Sequence, residues 1–82
     1  MTNRNYDDQE YRNFRRAVRN RDGHKCKMCS STSRLHVHHI IPWSKSYELR
    51  FVVDNGITLC HDCHKMITKN ETHWISYLSS LI

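Results

Sequence analysis

The sequence predicts a small α+β fold, with a helix at each end of the chain and two short strands and a further helix between them. Two kinds of periodicity predict it. Apolar residues recur at helical spacing near both ends: Tyr11, Phe14 and Val18, then Trp74, Tyr77 or Leu78, and Leu81. The middle of the chain holds two short runs rich in β-branched residues, "LHVHHII" and "ITLC". A third observation is the bracketing of those runs by two CxxC units, Cys26/Cys29 and Cys60/Cys63.

The elements follow in order. Residues 7 to about 21 read as a helix, with Asp7, Asp8 and Glu10 in the first turn, where the helix dipole favours anions. Arg12, Arg15, Arg16 and Arg19 occupy its other faces, and Gly23 supplies a stop. "CKMCSSTSRL" is a turn-rich loop. In the strand that follows, His36 and His38 face one way and His39 the other. Residues 42–54 read as a loop with room for a short helical turn, and "HDCHKMIT" starts a helix at the second CxxC. Thr68 and Glu71 fit a capping box for the last helix, with Asn70 as a competing cap. No repeat or linker marks a second unit, so residues 1–82 are expected to form one domain with its core at about 21–68.

A chain of 82 residues buries a modest core, and domains this short often need a staple. Thirteen Lys and Arg stand against eight Asp and Glu, a formal +5, which favours a polyanionic partner, most often nucleic acid. No apolar run approaches the roughly 18 residues that span a bilayer. The start, "MTNRNYDDQE", lacks a signal-peptide core. A cytoplasmic protein is therefore expected, and in a reducing compartment paired CxxC units point to metal rather than to disulfides.

Two residues between thiolates let one tight turn present both sulfurs to one ion. Two such turns complete the tetrahedral set that zinc prefers in closed structural sites, here Cys26, Cys29, Cys60 and Cys63. The zinc would clamp the base of an inserted element that carries both strands and the paired histidines, His38 and His39. His24 and His73 are expected at the surface, and His61 is expected to face solvent or to donate to a thiolate. His38 and His64 could share a second, open metal site, since the zinc fold carries His64 toward the inserted element. His39, on the other side of the strand, stays free. A proton acceptor beside an open metal suits hydrolysis of a phosphate ester.

With both CxxC units, "LHVHHIIPW" and "DNGITLCHDCH" in that order, the chain resembles the HNH endonuclease family over residues of about 21–65. The resemblance implies a ββα-metal core with an N-terminal and a C-terminal helix, stapled by a four-cysteine structural zinc. It implies that His38 and His64 hold a catalytic divalent ion (magnesium, manganese, nickel or zinc). It implies that His39 is the general base and that Asn55 pins the loop between the strands and so orients His39. Relatives often carry a proline early in that loop; here the stretch is "YELRF", with Tyr47 at its start.

The implied activity is one-metal hydrolysis of DNA phosphodiester bonds, as a nick or a double-strand break, in a phage or mobile-element setting within a bacterial or phage-infected cell. Arg15, Arg16 and Arg19 are the candidate phosphate contacts from the N-terminal helix, and His36 is a further one. A homodimer or a partner protein would supply specificity, since no recognition module is visible; no membrane is expected. The competing reading is a catalytically inactive zinc-stapled DNA-binding module. A protein-interaction module would explain the cysteines and leave the histidines and the charge unexplained.

Overall fold

A computed structural model describes residues 9–82. Helix α1 spans Gln9–Arg21, so Asp7 and Asp8 lie outside the described residues. Phe14 and Val18 are its buried residues, as the apolar stripe requires. Gly23 closes the helix at φ +68°, and its amide donates to the Asn20 carbonyl at 3.1 Å.

Strand β1, Leu35–His39, pairs antiparallel with β2, Gly56–Cys60, placing His38 opposite Ile57 and His39 opposite Gly56. Alternation then fixes the faces. Gly56 meets α1: a Cβ there would stand 2.6 Å from Val18 Cγ2 and 2.8 Å from Phe14 Cζ, so any side chain would push the helix off the sheet. On the other face Ile57 and Leu59 join Ile40, Ile67 and Leu78 in the core, with Trp74, Ile75 and Leu81 packed against it. The sheet thus lies between α1 and the helices α2, His61–Ile67, and α3, Ile75–Ser80.

A clamp that no motif announced ties α1 to β2. Asp22, buried at the end of α1, accepts from the Thr58 amide at 2.8 Å and from Arg21 Nε and Nη2 at 2.8 and 2.9 Å. Arg21 also donates to the carbonyls of Val53 at 2.9 Å and Gly56 at 2.7 Å. Burial alone would raise the Asp22 pKa, but the Arg21 guanidinium and the Thr58 amide outweigh it and hold it below the usual carboxylate value.

The C-terminal region differs from expectation. The capping box does not form. Thr68 Oγ1 donates to the His64 carbonyl at 2.7 Å, so the chain runs from α2 straight into a 3-10 segment, Thr68–Trp74. Asn70 caps nothing: it leaves helical geometry at φ −134°, ψ 43° and kinks that segment. Helix α3 starts at Ile75 without a side-chain cap. Its stripe resolves to Leu78, which is buried, while Tyr77 is exposed.

Candidate active site and metal centre

The four cysteines converge. Among the described residues they are the group that brings three or more ligand atoms within 4.8 Å of one another. The first knuckle turns tightly, with the Ser30 amide on the Cys26 carbonyl at 2.8 Å and Ser30 at φ 69°. Backbone amides of Met28 and Cys63 point at the sulfurs of Cys26 and Cys60 at 3.4 and 3.5 Å. Burial pushes the Cys26 thiol up, but backbone amides outweigh it and bring it to about 7. Burial, and then the neighbouring thiols, push Cys63 up well beyond its ordinary value. Four thiolates this close repel one another unless a cation sits among them, so the donor set fits a tetrahedral metal.

The histidines divide as strand alternation demands. His38 is 5% exposed, and its Nε2 is buried with no hydrogen-bond partner. Its ring lies 5.3 Å from that of His64, edge to face. Burial, then the charges of His64 and His39, lower the His38 pKa to about 4, so it is a neutral imidazole with an unsatisfied nitrogen. Burial also lowers His64. Two neutral imidazoles, one of them buried and unpartnered, can hold a divalent ion.

His39 sits on the opposite side of β1, held by an aromatic cage. Phe14 stacks on it at 4.9 Å and Trp43 meets it edge-on at 5.3 Å. Its Nε2 lies 2.7 Å from the Arg50 carbonyl. A carbonyl only accepts, so Nε2 carries the hydrogen and Nδ1 keeps its lone pair. Burial lowers the His39 pKa, so the ring is neutral at pH 7.

Asn55 is buried and reaches His39 through backbone rather than directly. Its Oδ1 accepts from the Ile41 amide at 2.8 Å, while Nδ2 donates to the carbonyls of Ile41 at 3.1 Å and Leu49 at 3.2 Å. One amide thus fastens both ends of the 41–49 loop, and the next carbonyl along, that of Arg50, is the one that holds His39. Arg50 also donates from Nε to the Trp43 carbonyl at 2.8 Å, with its guanidinium 4.3 Å over the Trp43 ring.

Val37, His38, His39, Pro42, Trp43, Ser44, His64 and Glu71 line one cleft. A second, polar groove shares Val37 and His64 with it and is walled by Tyr11, Arg15, Arg19, Leu35 and His36. The structure thereby separates the arginines: Arg15 and Arg19 line the groove, whereas Arg16 is exposed and bonded to Asn13 at 3.2 Å. His24 and His73 are exposed, as expected. His36 lies between His61 and His64, at 5.7 and 5.3 Å. His61 therefore meets an imidazole where a thiolate or open solvent was expected. Sequence reasoning missed the cage and the Arg50 carbonyl. Trp43 closes the quoted "LHVHHIIPW" and could have been found there; a backbone carbonyl leaves no signal in side-chain identity.

The chain is 32% identical over 63 residues to anaredoxin from Nostoc sp. (strain PCC 7120), covering 76% of this chain and 80% of that protein. Its fold matches the crystal structure of the HNH endonuclease of the deep-sea thermophilic bacteriophage GVE2, solved with a manganese ion, at a TM-score of 0.72 and 29% identity, covering 83% of this chain and 78% of that one. The family profile described as HNH endonuclease matches residues 26–70, more than half of the chain, and with the ββα core and its four-cysteine cluster this places the chain in the HNH endonuclease family.

Proposed function

We propose that the protein is a metal-dependent DNA endonuclease that hydrolyses phosphodiester bonds. The observation that carries this reading is the split across β1: His38 presents a buried, unpartnered nitrogen beside His64, while His39 keeps Nδ1 free and is fixed through Nε2. A DNA-binding module would need neither arrangement.

His39 Nδ1 accepts the proton of the attacking water, and the Arg50 carbonyl stabilises the imidazolium that results. Asn55 keeps that carbonyl in place by holding the loop. His38 and His64 would hold the divalent ion. When bound, that ion supplies charge stabilisation at the phosphate and the departing oxygen. Arg15 and Arg19 receive flanking backbone phosphates along the groove that meets the cleft at His64. Cys26, Cys29, Cys60 and Cys63 hold zinc; iron on the same ligands would colour the protein, so elemental analysis and a visible spectrum distinguish them.

The test is supercoiled plasmid with and without added Mg²⁺, Mn²⁺ or Ni²⁺, alongside binding of a DNA duplex. One cleft cuts one strand, so nicked circles should precede linear product. Binding without cleavage in any of these ions would establish the binding-module reading instead.

A further inference from the structure

We propose that Glu71 is a positioning residue for the divalent ion, its carboxylate accepting hydrogen bonds from water carried by an ion on His38 and His64, so that the cleft favours hard, hydrated cations. The inference rests on the reading that these two imidazoles hold the ion.

Local sequence assigns Glu71 to a helix cap, and the structure withdraws it from that task. Thr68 turns to the His64 carbonyl, the Asn70 kink redirects the chain, and half-buried Glu71 lines the cleft with His38, His39 and His64. Its carboxylate makes no salt bridge to a described residue.

Charge supplies the next step. The chain carries a formal +5, and Glu71 is the one carboxylate among the residues lining this cleft, beside three histidines, Val37, Pro42, Trp43 and Ser44. A carboxylate in a cleft meant for phosphate repels its substrate unless a cation lies between them. The buried, unpartnered Nε2 of His38 marks where a cation would find its first ligand. Glu71 acts at one remove, because only the cysteines among the described residues bring three ligand atoms within 4.8 Å of one another. Water bridges that gap. Carboxylate and water suit Mg²⁺ and Mn²⁺, whereas imidazole alone leans toward Ni²⁺ and Zn²⁺.

The experiment measures ion binding with no DNA present. The full chain, loaded with zinc at the cysteines, is titrated with Mn²⁺ and the free ion is followed by electron paramagnetic resonance; Ni²⁺ binding is followed by calorimetry. Glu71→Gln should weaken Mn²⁺ binding roughly 10- to 100-fold, as loss of a hydrogen-bonding partner around a metal typically does, and Ni²⁺ binding distinctly less. Glu71→Asp, which keeps the charge on a shorter arm, should fall between and guards against a Gln variant that does not fold. Unchanged Mn²⁺ affinity, an equal loss for both ions, or a wild type that binds no Mn²⁺ overturns the proposal. Plasmid cutting by the wild type decides the nuclease reading separately: a chain that cuts, with Mn²⁺ affinity indifferent to Glu71, refutes only this inference. A chain that binds Mn²⁺ through Glu71 and does not cut refutes only the nuclease.

Discussion

The four-cysteine cluster and the histidine cleft both gather metal-ligating side chains, and they are built differently. At the cysteine end each CxxC delivers two sulfurs in a local turn, and packing of Cys26 and Cys60 into the core brings the two turns together. The cleft is assembled from β1, the 41–50 loop, α2 and the kinked segment after it, and the carbonyl that fixes His39 lies 11 residues away in the chain. On the proposed reading, a closed thiolate set would leave its ion no free position and so serve folding. An open pair of imidazoles beside a third, separately held one leaves room for a substrate. If both sites take the ions proposed, ligand number and local spacing separate the staple from the workplace.

The largest test breaks the cysteine end. Cys60→Ser should abolish the fold, since structural zinc supplies on the order of 10 kcal/mol in small finger domains. Circular dichroism and metal content measure it, and a folded, metal-free variant would erase the distinction between the two sites. Next in size is His39→Ala. Loss of a general base should cut the cleavage rate about 10²- to 10⁴-fold while zinc content, fold and DNA affinity persist. Wild-type rates of plasmid nicking by that variant would remove His39 from catalysis.

A third test sharpens the comparison at the clamp that joins α1 to the sheet between both sites. Asp22→Asn should lower stability by about 2 kcal/mol, the scale of hydrogen bonds to a charged group. The pKa of Asp22 is depressed in the folded state, so its contribution is present above the unfolded value of about 3.9 and disappears as the pH falls through the lower folded value. Urea midpoints of both proteins between pH 3 and 6 should therefore converge toward acid. Acid release of zinc would unfold both proteins, so the midpoints are compared only where metal content shows the zinc still bound; a gap that stays constant with pH there would show that Asp22 is not the titrating group.

The smallest effect separates the arginines. In a His39→Ala background, changing Arg15 and Arg19 to Gln should reduce the slope of log affinity against log salt by roughly two, since each phosphate contact contributes about 0.9. Arg16→Gln should leave the slope alone. Equal slopes for both variants would place the nucleic acid elsewhere than the groove.

The cysteine knuckles, the two strands, the opposite facing of His38 and His39, and the family were legible in the amino-acid sequence. Each rests on spacing along a short stretch, where the geometry of a turn or the two-residue period of a strand dictates which atoms share a side. The rest came from packing in three dimensions. It chose Leu78 over Tyr77, took Thr68 away from its cap, turned Glu71 into the cleft, and sorted Arg15 and Arg19 from Arg16. It also closed the aromatic cage on His39 and set Arg21 against the buried carboxylate of Asp22. These depend on which element packs against which, and local propensities of a few tenths of a kcal/mol yield to burial that is worth several times more.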